Sequence, residues 1–212
     1  MNKKLNYKLI CLLIILSLIL SAFCWNYFNT KKRFDNAKKA AKFSFPISQI
    51  YAYTSMYMED IKKNNKLVFS DNFLSLYNSV VNCASILTIL RNMDPEYRKY
   101  KSKVPSIWFT VNSLHGLLDD IYFNISEGKP IVIQLDANKF KTLTTEDIYN
   151  ELSKYCNFIK NVIFENGNLI SDKYNPLYNT DKYFDKILEK WDANKAESLF
   201  HKNIKNDITL WP

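Results

Sequence analysis

Glycine is scarce. The 212-residue chain has 3, at Gly116, Gly128 and Gly167, where average usage of about 7% would give roughly 15. No two of them lie closer than twelve positions. A Walker A loop needs two glycines within six residues, and a dinucleotide fingerprint needs three in a short run. Both are excluded. Many-stranded sandwiches, barrels and propellers also lean on glycine turns, so the balance shifts toward helices.

Histidine is scarcer still, with only His115 and His201. A catalytic or structural zinc needs three or four ligands. No second His cluster or paired carboxylate run supplies them, so neither a metal nor another cofactor is expected. No G-x-S-x-G elbow is present either.

The net charge is +8, yet the body of the chain carries none of it. Nine of the 29 basic side chains and one of the 21 acids lie in residues 1–42, which leaves 20 of each beyond. The excess therefore flanks a single apolar segment, where charge acts on topology and on anionic lipid. A neutral body argues against nucleic acid. The aromatic run Tyr51, Tyr53 and Tyr57 is followed by Glu59 and Asp60 rather than by basic residues, which argues the same way.

Leu9 to Cys24 holds no charge. Tyr7 and Trp25 flank it, about 27 Å apart along a helix, which is close to the hydrocarbon thickness of a bilayer. The three lysines before it (Lys3, Lys4, Lys8) also suit a secretory signal. Cleavage after Ala22 would place Leu20 where a small residue is wanted. Lipoprotein processing at Cys24 would place Phe23 before the cut. The segment therefore reads as an uncleaved anchor. Lys31, Lys32, Arg33, Lys38, Lys39 and Lys42 pull toward an inside body by the positive-inside count. The signal-like arrangement at the extreme terminus outweighs them, which predicts a single-pass protein of the cell membrane with its N-terminus inside and its body extracytoplasmic.

Residues 29–46 read as a basic juxtamembrane stalk, either solvated or in contact with anionic lipid headgroups, that Pro46 ends or kinks. Beyond it, apolar spacing of three and four predicts a helix over 47–63 and another over 71–93, capped by Ser70 or Asp71. A third runs from Pro105 to Glu127 and stops at Gly128 and Pro130. The run 96–103 reads as a short helix or a loop. Thr144 to Asp147 caps a further helix that ends at Asn166-Gly167-Asn168. Thr180-Asp181 caps the last, which carries Phe184, Ile187, Leu188, Trp191, Leu199 and Phe200. Ile131 to Leu135 is the one convincing strand, with Leu67 to Phe69 or Leu169-Ile170 as candidate partners.

The expected fold is all-α. A single N-terminal transmembrane helix (1–28) and the stalk (29–46) precede a bundle of about five helices (47–212), with room for a minor β element near 131–135. Tyr51, Tyr53, Tyr57, Met58, Tyr77, Trp108 and Tyr122 are the candidates for a partner or ligand groove, since Tyr and Met recur at such surfaces. Cys83 and Cys156 sit on two different helices and could pair outside the cytoplasm. His115 lies four residues before Asp119, with Asp120 beside it, so a metal pair or an acid–base pair could share one helix face. Three functions follow. The favoured one is a non-enzymatic interaction or scaffold protein of the cell envelope, anchored in the membrane, whose helical domain binds a partner protein. The second is a sensory bundle that binds a small molecule. The third is an enzyme using His115 with Asp119 or Asp120.

Overall fold

The computed structural model describes residues 3–43, 45–93, 103–136, 139–197 and 199. The described chain is mostly helical, with eight helices and four short strands. It divides into two compact units, Met1–Ala40 and Ala41–Pro212.

Helix α1 (Lys3–Phe43) is 41 residues long. Every side chain from Leu9 to Arg33 is exposed. A helix that is apolar all round and uncovered by protein is what a bilayer accepts, because all its backbone groups pair within the helix. The Ser17 hydroxyl returns to the Ile14 carbonyl at 2.9 Å, so it too has a partner. The segment is long and apolar enough to cross a membrane. The residues read as a stalk continue α1 without a break as far as Phe43, since Asp35 to Lys42 are mostly good helix formers.

The second unit is built on four helices: α2 (Ile47–Asn64), α3 (Asp71–Met93), α4 (Lys103–Glu127) and α5 (Thr145–Ile163). Helix α2 packs against both α3 and α5, and α3 packs against α4. Its buried face is Ile47, Ile50, Thr54, Tyr57 and Ile61, one stripe of a 3.6-residue period. Asn65 ends it in the left-handed region at φ 51°. The Asp60 carboxylate then accepts from the Ser70 hydroxyl at 2.6 Å and from Asn72 Nδ2 at 3.0 Å. Ser70 in turn caps α3 by accepting from the Phe73 N–H at 3.2 Å. Helix α3 is also long and apolar enough to cross a membrane. Its buried stripe of Phe73, Leu76, Val80, Cys83, Leu87 and Leu90 makes it a core helix instead.

Thr144 and Asp147 cap α5 reciprocally. The Asp147 N–H donates to Thr144 Oγ1 at 3.1 Å, and the Thr144 N–H donates to Asp147 Oδ2 at 2.9 Å. Lys141 adds an ion pair to Asp147 at 2.7 Å. The Lys141 bond and then the Thr144 bonds pull the Asp147 carboxyl down from 3.8 to about 2. A carboxyl depressed in the folded state stabilises it above the unfolded value, and that contribution fades as pH falls through the folded one. In Asp147→Asn, the loss of stability relative to wild type is therefore largest above pH 4 and shrinks between pH 4 and 2. Urea denaturation across that range measures it.

The β content is slightly larger than the sequence reading allowed. Strand β1 (Val132–Asp136) pairs antiparallel with β2 (Lys139–Thr142), and Ile133 sits opposite Lys141. Neither Leu67 to Phe69 nor Leu169-Ile170 is its partner, because an adjacent strand closes a hairpin with the shortest loop. Asn166-Gly167 does not simply stop α5. With φ of 51° and 83°, both residues are left-handed, and they join β3 (Phe164–Glu165) to β4 (Asn168–Leu169).

Helix α6 (Ile170–Lys173) leads to α7 (Pro176–Lys190), which Asn175 caps by accepting from the Leu177 N–H at 2.9 Å. Asn179 is non-helical, so regular helix resumes at Thr180, the expected start. The last helix does not run on to Leu199. It stops before Trp191, and Asp192 caps the short α8 (Ala193–Glu197) through the Asn194 and Lys195 N–H groups. The run 96–102, Phe200 and His201 lie outside the described residues.

Candidate functional site

Helices α3 and α4 meet along a seam that brings three polar side chains together. The Tyr77 hydroxyl donates to Asp119 Oδ1 at 2.7 Å. His115 Nε2 lies 3.3 Å from the same hydroxyl and 3.8 Å from Asp119 Oδ1. The Tyr77 and His115 rings are 5.3 Å apart. His115 and Asp119 share a face of α4 one turn apart, and Tyr77 reaches them from α3. The site is shallow, with the His115 and Asp119 side chains 30% and 40% exposed. The bond to Asp119, then burial, then the negative charge push the Tyr77 phenol up to about 12. Further along the seam, Trp108 Nε1 donates to Thr88 Oγ1 at 3.2 Å.

The other groove candidates go elsewhere. Tyr51 packs edge-on against Phe164, with centroids 5.6 Å apart. Tyr53 and Met58 are half-buried against the core. Tyr57 is fully buried and tilted on Phe73 at 5.2 Å. Tyr122 is exposed and meets Phe69 edge-on at 5.9 Å. The seven side chains are thus spread over several contacts. A shallow pocket of about 340 Å³ lies near the β3–β4 turn, lined by Glu165, Asn168, Asp172 and Lys173 among others, and it includes none of the seven.

Tyr57 is a core residue with a cost attached. Its hydroxyl is buried and finds no well-formed hydrogen bond among the described residues, although the Val68 backbone lies near enough to influence it. Burial pushes the phenol well above its ordinary value. Removing an orphaned buried polar group relieves a desolvation cost of about 1–3 kcal/mol. Tyr57→Phe is expected to leave the domain as stable as wild type or more so by about 1 kcal/mol, read as the midpoint of a denaturant titration.

Cys83, buried, and Cys156, partly buried, are both free thiols. They sit on α3 and α5, and α2 packs against both of those helices. Burial raises both thiols above their ordinary values, and nearby Lys160 partly offsets this at Cys156. The basic stalk is also smaller than its count suggests. Lys42 is buried, bonds Asp181 at 2.9 Å and lies over the Phe184 ring. Among the described side chains of that region, Lys31, Lys32, Arg33 and Lys39 are exposed.

Among the described residues no group of three His, Cys, Asp or Glu side chains is placed to share a metal ion. Phe69 and Phe123 were missed by the sequence reading. Each is exposed and in contact with Tyr122. The fold defines a class: a mostly helical protein whose N-terminal helix is long and apolar enough to span a membrane. No family model, curated protein or solved structure matches the chain.

Proposed function

We propose that this protein is a membrane-anchored, non-enzymatic interaction subunit of the cell envelope, whose helical domain binds a partner protein. The observation that carries the reading is a chain of exposed rings on that domain. Phe69, Tyr122 and Phe123 are 51%, 42% and 44% exposed and follow one another at 5.9 and 5.7 Å. Contiguous aromatic surface of this kind is typical of the buried centre of protein interfaces. The Tyr77–His115–Asp119 cluster supports binding over catalysis, because it is open to water and a reacting centre gains from excluding water. Anchoring through residues 9–24 would hold the domain at the membrane, and the exposed Lys31, Lys32, Arg33 and Lys39 would meet anionic headgroups.

The test is site-specific photo-crosslinking in cells. A crosslinker at Tyr122 is expected to give one discrete adduct, lost when Phe69 and Phe123 become Ser. A crosslinker at exposed Lys160 on α5 is expected to give none. Monomer alone at Tyr122, or the same adducts from both positions, would overturn the reading. The orientation is tested separately by reporters fused after Pro212. External activity supports an extracytoplasmic body, and internal activity reverses it.

A further inference from the structure

We infer that the α3–α4 seam binds a divalent transition-metal cation through Tyr77, His115 and Asp119. The three donor atoms are Tyr77 Oη, His115 Nε2 and Asp119 Oδ1. They stand 2.7, 3.3 and 3.8 Å apart pairwise. Ligands at about 2.0–2.2 Å around a tetrahedral ion are spaced ~3.3–3.6 Å from one another. The observed triangle brackets that spacing, so small side-chain rotations close it on an ion. Two donors come from one turn of α4 and the third from α3, both helices of the core. The partial exposure of His115 and Asp119 gives a hydrated ion access and leaves room for water as a further ligand. The third member of the triad is a phenol.

The donor set selects the ion. One imidazole nitrogen with two oxygens suits the later first-row metals, and among them the Irving–Williams order places Cu²⁺ highest. Binding breaks one covalent bond. The Tyr77 O–H proton leaves to water, and the phenolate oxygen binds the cation. In the metal-free protein the Asp119 carboxylate holds that proton in place. A cation on the same carboxylate neutralises the charge that held it, which turns a restraint on ionisation into a driving force. This inference does not depend on the partner-binding reading.

Cu²⁺ is the probe, titrated into the full chain in detergent micelles and followed by visible absorption and calorimetry. The expected result is one bound equivalent with a phenolate-to-copper charge-transfer band. Tyr77→Phe abolishes the band, and His115→Gln weakens binding by about tenfold or more. His115→Gln removes only the longer contacts of the cluster, so its melting curve should match wild type and isolate the effect on the metal. No band in wild type, or binding that His115→Gln and Asp119→Asn leave unchanged, would overturn the inference. The latter pattern identifies a copper site elsewhere, such as the N-terminal amine or His201. The three side chains then form only a tie between helices.

Discussion

Trp191→Ala should destabilise the helical unit by about 3–5 kcal/mol, the range for emptying a buried aromatic site. Trp191 is 1% exposed. Its ring stands edge-on to Phe158 of α5, with centroids 4.7 Å apart and planes at 84°. Its Nε1 donates to Ser106 Oγ of α4 at 3.1 Å. It follows the end of α7 directly, and its backbone N–H closes that helix on the Leu188 carbonyl at 3.3 Å. One residue thus joins three helices. Truncation leaves a cavity and strands the buried Ser106 hydroxyl, which adds about 1 kcal/mol. Trp191→Phe refills most of the space and loses the hydrogen bond, so it should cost only about 1–2 kcal/mol. Since whole domains are stable by only about 5–15 kcal/mol, the Ala variant should lie close to unfolding at ambient temperature. Denaturant midpoints for the two variants check the ordering. Equal losses in both would assign the effect to the hydrogen bond rather than to the volume.

That residue also shows what a sequence can and cannot display. Its place among the apolar positions of the last helix is read from local spacing. Its partners Ser106 and Phe158 lie far off along the chain, and no local pattern names them. The same division holds across the fold. Helix α3 begins at Asp71 and ends at Met93 as its caps and stripe predict. The capping box of α5 is legible because both partners lie within four residues. The hairpins are less legible. Asn166-Gly167 was read as a helix stop, although two left-handed residues suit a tight hairpin equally well. At the seam, His115 and Asp119 declare themselves by spacing on one helix. Tyr77 sits 42 residues from Asp119, and only the antiparallel packing of α3 on α4 makes the cluster a triad. Lys42 carries the same lesson with a charge. Counted by composition it belongs to the lipid-facing cations, but it lies over the Phe184 ring and is paired with Asp181.

Replacing Ile15 and Ile19 by Asp should remove the protein from the membrane. Both residues lie near the middle of the apolar part of α1, and both side chains are exposed. Placing an Asp at the centre of an inserted helix costs about 2.5–3.5 kcal/mol, and each lost isoleucine forfeits a few tenths more. Two substitutions together cost roughly 6 kcal/mol, which matches or exceeds what a short leucine-rich span gains by inserting. Wild type is expected in the membrane pellet after alkaline carbonate extraction, and the double variant in the supernatant or degraded. Ile15→Leu with Ile19→Leu keeps the hydropathy and should stay in the pellet. The mass of the extracted wild-type chain separates an anchor from a cleaved signal, because an anchor retains residues 1–24. A protein that resists carbonate without those residues would have to be held by something other than α1. The exposed Lys31, Lys32 and Arg33 supply only about 1 kcal/mol each near an anionic surface, and salt screens them. They can trim the position of a helix already in the bilayer, but they cannot replace it.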